Sequence, residues 1–546
     1  MKHCGRTFAL VVALATAVTL GAARPSAAQL AATDLGTLDG FSSSGAMAIN
    51  ASGMAVGFVY NTNTYGYPEH TLAAVWSPGA TTPAALPLLA GYTDSMAQFV
   101  NASGQVAGTC DNGVYNKPQA CVWTFDGTNW AVTGLGFLAS GDTSEVYGMN
   151  AAGQVIGQSG VKNSDSRAGF IWDSTNGMQA FTNLPEGPNG TTATIEPAPS
   201  HGISDNGLVV GTAMTSGYGL NGAIVWDSKT QQTVVHLPYG EALAISPSGN
   251  HVAGYRIPDS QQYFMRELFL WTWDADQTQF TLTDLGHPAY DSGSVGWTLN
   301  GHDVYPTAVT DYGKVLGFGR NYWDTDSPPD GYGNTSGPDE TWVYASGTYT
   351  DLATLLPAGT VGQVETQAFI NASGAVAFNL MNSSGYTPYY WNGSDDAVAL
   401  ASLRGAYAGA MDVNDSGMVA GASSVTADSP MPVHATRWGQ TPSALDFSAS
   451  TLSVKTRTLA IKLKVVVTNA SGSLAKGVRV TEASLDGEAT ATALPLALPT
   501  ITPGASKTIS LAFDGQGLAS GSEVELKISG TCSLGDFFTT QTVIIP

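Results

Sequence analysis

The chain has 546 residues, with 43 Asp and Glu against 21 Lys and Arg, for a net charge of −22. That balance argues against a nucleic-acid partner, whose phosphates demand a basic face, and the length allows several domains with a large buried core. The charge is uneven: residues 29–445 hold 35 acidic against 10 basic side chains, and residues 446–546 hold 8 of each, so a domain boundary is expected near residue 445.

Residues 1–28 read as an export signal. Lys2 and Arg6 give a positive start, residues 8–22 are apolar, and Ser26-Ala27-Ala28 offers small side chains for cleavage. The mature chain is expected to begin near Gln29 and to be secreted, at the cell surface or in the extracellular or periplasmic space. No later stretch approaches ~18 consecutive apolar residues, so no membrane span is expected after cleavage.

From there the chain repeats itself. Asn101-Ala102-Ser103-Gly104-Gln105-Val106-Ala107-Gly108 has close copies beginning at Asn50 and Asn414, and looser ones beginning at Asn150, Ser204, Ser246, Thr310 and Asn371. The first glycines (Gly53, Gly104, Gly153, Gly207, Gly249, Gly313, Gly374 and Gly417) are 42 to 64 residues apart. That period suits propeller blades. Each copy predicts a β-hairpin: a short strand of small and apolar residues, an Asn-x-Ser-Gly turn in which Gly takes positive φ, and a Val- and Gly-rich second strand. The second glycine predicts a close backbone approach. Two copies depart, with an inserted Asn250 and with Phe378 in place of that glycine.

A third strand in each repeat ends on Trp76, Trp123, Trp172, Trp226, Trp271, Trp342, Trp391 or Trp438. One tryptophan per repeat predicts packing between sheets. Fourth strands are expected at 85–89, 132–137, 179–184, 233–237, 281–285, 350–355 and 398–403. The eighth repeat has none. Thr33-Asp34-Leu35-Gly36, which matches Thr283-Asp284-Leu285-Gly286, is expected to supply it and close the ring. The expected fold is therefore an all-β, eight-bladed β-propeller over 29–445, with seven blades as the alternative.

The recurring pattern Asp-Leu-Gly…Ile-Asn-x-x-Gly-x-Val-x-Gly…Trp, from Asp34 to Trp438, resembles the HAF-repeat family of secreted bacterial proteins. The resemblance implies a propeller-like extracellular protein and no particular activity. Residues 446–546 follow a different pattern. Alternating runs at 459–467, 478–480, 509–513 and 524–528, with Pro503-Gly504 between, predict an immunoglobulin-like β-sandwich.

Candidate sites follow from the expected geometry. The Asn turns share one face, and the opposite face carries loops that vary in length and composition. Tyr60, Tyr65, Tyr67, Tyr218, Tyr322, Trp323, Tyr386 and Tyr389 are candidate ligand-binding aromatics there. Asp324, Asp326 and Asp330 are candidate oxygen ligands for Ca²⁺, although their spacing is not that of an EF-hand. No other cofactor is indicated. Cys110 and Cys121 flank a predicted strand-to-strand loop and are a candidate disulfide in an oxidising compartment.

No catalytic motif is present: there is no Gly-x-Ser-x-Gly, no His-Glu-x-x-His and no Cys-x-x-Cys. The expected function is non-catalytic recognition of an extracellular glycan or protein on the loop face. A polysaccharide hydrolase or lyase with a central pocket is one alternative, to be favoured by inward-facing carboxylates with a His or Arg. A structural surface or matrix component is the other. The blades where the phrase breaks, at Asn250 and Phe378, are the expected places to search.

Overall fold

The computed structural model describes residues 30–545 apart from 63–67, 113–116, 140, 162–166, 187–192, 216–218, 258–265, 274–278, 287–298, 325–333, 384, 394–395, 427–431, 440–444, 456–459, 470–475, 486–487, 503–504, 515–522 and 533–534. The expected signal segment lies outside the described residues.

Eight four-stranded antiparallel sheets form an eight-bladed β-propeller. The innermost, second, third and outermost strands of blade 1 are Ser43–Ile49, Ala55–Thr62, Pro68–Trp76 and Ala84–Ala85. Six further blades repeat this chain order, from blade 2, which starts at Asp94–Val100, to blade 7, which ends at Val398–Ala399. Blade 8 takes Ala408–Val413, Val419–Ser424 and Val433–Trp438 from the end of the propeller region, and Ala32–Asp34 from its start.

The closing strand pairs Ala32 with Trp438, Thr33 with Arg437 and Asp34 with Thr436. His434 Nδ1 lies 2.8 Å from Asp34 Oδ1 across this seam. Leu35, fully buried, follows the strand into the core between blades 8 and 1. Closure completes blade 8 and leaves only a short, three-residue outer edge at this seam.

The Asn turns do more than reverse the chain. All eight first glycines have φ between 72° and 90°, a region that favours residues without a Cβ. Asn50 Oδ1 accepts hydrogen bonds from the backbone N–H of Ser52 (3.1 Å) and Met54 (3.1 Å) and from the Ser52 hydroxyl (2.7 Å). Its Nδ2 donates to the carbonyl of Asn101 in the next blade, at 3.0 Å. The same link runs from Asn371 to Asn414 (2.8 Å), Asn414 to Asn50 (2.9 Å), Asn101 to Asn150 (3.4 Å) and Asn150 to Ser204 (2.9 Å). Blades 7, 8, 1, 2, 3 and 4 are thus laced by one amide belt. Ser204, Ser246 and Thr310 lack the amide N–H that makes this link, so the belt stops at blade 4. The next three seams use substitutes. Asp205 N donates to Pro247 O (2.7 Å), Ser248 N to Asp311 Oδ1 (2.9 Å) and Lys314 Nζ to Ser373 O (3.2 Å).

The second glycine is explained by a bulge. In blade 1 the ladder shifts register between Ala46 and Ala48, which turns the Gly45 carbonyl against Gly57, and any Cβ on Gly57 would fall inside contact distance of it. The same clash faces Gly108, Gly157, Gly211, Gly254 and Gly421. Blade 7 escapes because its inner strand loops out further: Val364 pairs with Leu380 and Ala368 with Phe378, leaving three residues opposite Asn379. Phe378 then fits, fully buried and stacked on Tyr389 at 5.6 Å.

Tryptophans do pack between blades, and four of them also bind across the seam. The indole N–H groups of Trp76, Trp123, Trp226 and Trp438 donate to the carbonyls of Leu35, Pro87, Thr182 and Ala401, each just past the outermost strand of the preceding blade. Burying one such side chain withdraws ~150–250 Å² from water, worth up to ~4–6 kcal/mol. Trp342 corrects the one-place rule. It pairs with Gly317, as Ala74 pairs with Gly57, and so sits two residues before the common position, which Tyr344 fills.

The C-terminal region forms two antiparallel sheets over one apolar core. One contains Leu445–Lys455, Ala460–Asn469 and Ser506–Asp514; the other is built on Arg479–Leu485, Glu523–Cys532 and Gly535–Ile544. Leu463, Val465 and Leu511 of the first sheet share that core with Val480, Leu526 and Ile528 of the second.

Candidate functional site

The innermost strands run from the loop face to the Asn turns, and those of most neighbouring blades touch one another around a central channel. The bulges of blades 2 and 3 each place one residue out of the ladder, Gln98 and Tyr147 respectively. Blade 4 departs further. Its inner strand, Ala193–Pro197, stops early: Ala198 N still donates to Val210 O and Gly202 O accepts from Val210 N, but residues 199–201 between them leave the sheet before Ile203 bridges back to Val209. Pro199, which cannot donate to a ladder, falls within the break.

This excursion enters the channel. Ser200 N donates to Tyr147 O of blade 3 at 2.6 Å, and His201 O accepts from Ile245 N of blade 5 at 2.8 Å. The His201 imidazole also hydrogen-bonds the Thr307 backbone in blade 6, two blades away. Burial holds the His201 pKa below the ordinary histidine value, against the effect of that bond. Its Nδ1 is sealed from solvent with no partner among the described residues. Ser200 is held at φ 66°, a left-handed conformation costly for a residue with a Cβ.

Beside this plug lies a cavity of about 440 Å³. Gln98, Phe99 and Asp111 of blade 2, Glu145 and Tyr147 of blade 3, and Ser200 of the plug are among its lining. It reaches the loop face, because Asp111 ends the second strand of blade 2 and Pro118, also in the lining, lies in the loop that follows. The wall is braced. Thr109 donates to Gln98 Oε1 at 3.1 Å, Tyr147 to Gln158 Oε1 at 2.9 Å, and Ser144 N to Pro118 O at 2.9 Å. Glu145 lies 3.7 Å from Arg167, a long, partly exposed pair. Burial raises the Tyr147 pKa, and the charges of Glu145 and Glu196 raise it further.

Glu145, Glu196 and Glu241 hold one equivalent position in three consecutive inner strands: each carbonyl is the one that abuts the second glycine of its blade. Glu241 is pushed above the usual carboxylate range, chiefly by burial and also by Glu196, while Tyr255 and Arg266 oppose the shift. The Arg266 guanidinium lies over the rings of Tyr255 (4.5 Å) and Tyr305 (4.3 Å), joining blades 5 and 6. Among the described residues no group of three or more His, Cys, Asp or Glu side chains is arranged to hold a metal.

The sequence-derived candidates are placed as follows. Tyr60 (7% exposed) and Tyr389 (6% exposed) are in the core, which removes their rings from a loop-face ligand surface. Tyr386 packs edge-on against Tyr407 at 5.7 Å, and Tyr407 raises the pKa of Tyr60 in addition to the larger effect of burial. The three rings therefore gather where blades 7, 8 and 1 meet. Tyr65, Tyr67, Tyr218, Asp326 and Asp330 lie outside the described residues, as do the side chains of Tyr322, Trp323 and Asp324. Cys110 and Cys121 are fully buried on adjacent strands as two thiols, Sγ to Sγ 3.0 Å, and burial pushes the Cys121 pKa up.

The cavity lies at blades 2 to 4, and not in blade 5 or blade 7, where the phrase breaks. Asn250 only lengthens a turn, with its carbonyl accepting from Trp273 N. Sequence reasoning missed the plug. Its signal was Pro197-Ala198-Pro199, two prolines where an inner strand belongs. It also missed Tyr239, which is 59% exposed and left-handed (φ 60°) in the connector between blades 4 and 5.

No family model and no curated protein matches the chain. Solved structures with a similar fold include the acylaminoacyl peptidase of Pyrococcus horikoshii, at 11% identity and TM-score 0.35, covering 80% of this chain and 59% of that one. Prolyl oligopeptidase B from Galerina marginata aligns at 9% identity and TM-score 0.36, over 68% of this chain and 55% of that one. The endo-arabinase of Bacteroides thetaiotaomicron VPI-5482 aligns at 13% identity and TM-score 0.20, over 54% and 87%. The chain spans a little over half the length of the peptidases to which it is similar.

Proposed function

We propose that this chain is an exported recognition protein of the HAF-repeat kind, binding an extracellular glycan or protein on the loop face of its propeller. The observation that carries this reading is the braced, mixed polar and aromatic cavity at the channel mouth, on the face where loops vary. Residues 1–28 would be removed on export, and the C-terminal sheets would serve as an immunoglobulin-like spacer or docking module. In the oxidising compartment the Cys110 and Cys121 thiols would form a disulfide, detectable as a 2 Da loss in intact mass. The reading is tested by probing arrays of glycans and extracellular proteins with the full chain. Binding should persist in the turn-face variant Tyr312→Ala and fall in loop-face variants; a ligand that follows Tyr312 would overturn it.

A second reading, an extracellular polysaccharide hydrolase or lyase, is favoured by one observation. Glu145, Glu196 and Glu241 share a position in neighbouring inner strands, with Arg167 and Arg266 within electrostatic reach. Incubation with a panel of polysaccharides should then release reducing or unsaturated ends, and Glu145→Gln with Glu196→Gln should abolish the release. An absence of new ends removes this reading.

A further inference from the structure

We infer that the cavity between blades 2 and 3 is a subsite for one or two neutral sugar rings, and that it rejects uronates and sulfated sugars. This rests on the recognition reading and narrows its ligand. Size comes first: about 440 Å³ falls at the small end of ligand pockets, and the plug of blade 4 walls one side with Pro199 and Ser200. Such a space takes the end of a chain and not a long stretch of polysaccharide or a folded protein surface.

Chemistry selects among small ligands. Asp111 and Glu145 supply carboxylate oxygens, which accept hydroxyl hydrogens in short, charge-assisted bonds. Gln98 and Ser200 add an amide and a hydroxyl, each able to donate as well as accept. Phe99 and Pro199 offer apolar surface between them. A sugar ring presents the same alternation, with hydroxyls at its rim and C–H groups on its faces. The charge sets the exclusion. Arg167 pairs with Glu145 at 3.7 Å and also reaches Tyr147, but Asp111, Glu145 and Glu196 outnumber it, so a ligand carboxylate or sulfate would meet a net like charge at short range. The wall is also pre-organised: Thr109, Gln158 and the Tyr147 carbonyl hold Gln98, Tyr147 and Ser200 in place, which lowers the ordering cost of binding.

The test is isothermal titration of the full chain with neutral gluco-, manno-, galacto- and xylo-oligosaccharides of two to six units, beside oligogalacturonates and sulfated galacto-oligosaccharides. We expect binding by at least one neutral series, weakened at least tenfold by Glu145→Gln and by Phe99→Ala, and no binding by the acidic series. Melting curves matching the parent establish that each variant is folded, and Ser200→Ala, a smaller change at the same wall, should weaken binding severalfold. Binding of acidic sugars alone overturns the inference, and so does neutral-sugar binding that all three variants leave unchanged. Both results would leave glycan recognition standing. No binding by any sugar also overturns it; loop-face binding of a purified extracellular protein would then keep the broader reading alive.

Discussion

Two arcs of the ring solve one problem differently. From blade 7 through blades 8, 1, 2 and 3, asparagine caps each turn and binds the next blade with the same side chain. From blade 4 to blade 6, serine and threonine cap the turns, and the seams are held by a backbone bond, an aspartate and a lysine in succession. Repetition is strict where one side chain does two jobs. Where it relaxes, in blade 4, residues 199–201 leave the sheet and enter the channel. The regular arc thus supplies rigidity, and the irregular arc shapes the space beside the site.

The contrast can be broken by removing what closes the regular arc. Deleting residues 33–40 takes away the closing strand, buried Leu35 and the acceptor of the Trp76 indole. We expect the melting temperature to fall on the order of 10 °C or more, well beyond a single core truncation; an unchanged melting curve would refute the closure. Gly57→Ala should come next. Its Cβ has no room beside the Gly45 carbonyl, so a loss of ~3–4 kcal/mol is expected in chemical denaturation.

Asp412 sharpens the comparison by pH. It is partly buried at the seam of blades 8 and 1, and Oδ2 accepts from Ile49 N at 2.8 Å. Burial lifts its pKa from 3.8 to about 6. The folded state therefore binds this proton more tightly than the unfolded state does. The resulting stability is fully present below pH 3.8 and is lost as pH rises through about 6. Between pH 7.5 and 5 the parent should gain about 1.4 kcal/mol more than Asp412→Asn, which keeps every other charge. Equal pH slopes in the two proteins would exclude the effect.

The smallest difference compares the caps themselves. Asn414→Ala removes the acceptor for three groups and the donor to Asn50, for an expected ~2 kcal/mol. Ser246→Ala removes a single hydroxyl, which accepts from His251 N and hydrogen-bonds Asp311, and should cost ~1 kcal/mol. Equal losses would mean that the belt adds nothing beyond turn capping.

Much of the fold was legible because repetition multiplies weak signals. One Asn-x-Ser-Gly is only a turn, but eight copies and variants of it in register with a following tryptophan give the blade count, and the Thr33-Asp34-Leu35-Gly36 match gives the closure. What repetition hid was the reason for each residue. The amide belt links residues about fifty positions apart, and nothing local distinguishes Asn50 as a bridge from Asn50 as a cap. The second glycine answers a bulge in the partner strand, which no single strand displays. The site was read less well for the same reason. Tyr60 and Tyr389 look like loop aromatics, yet cross-blade packing buries them. Gln98 and Tyr147 look like ordinary strand residues until the bulge brings them to the channel wall.

The location of function is tested most directly by hydrogen–deuterium exchange of the full chain with and without the tightest-binding oligosaccharide. We predict slowed exchange at 94–99, 109–111, 143–147 and 198–202, with the eight hairpin turns on the opposite face unchanged. Slowed exchange at the turns, with the cavity segments unaffected, would contradict a binding site at the channel mouth.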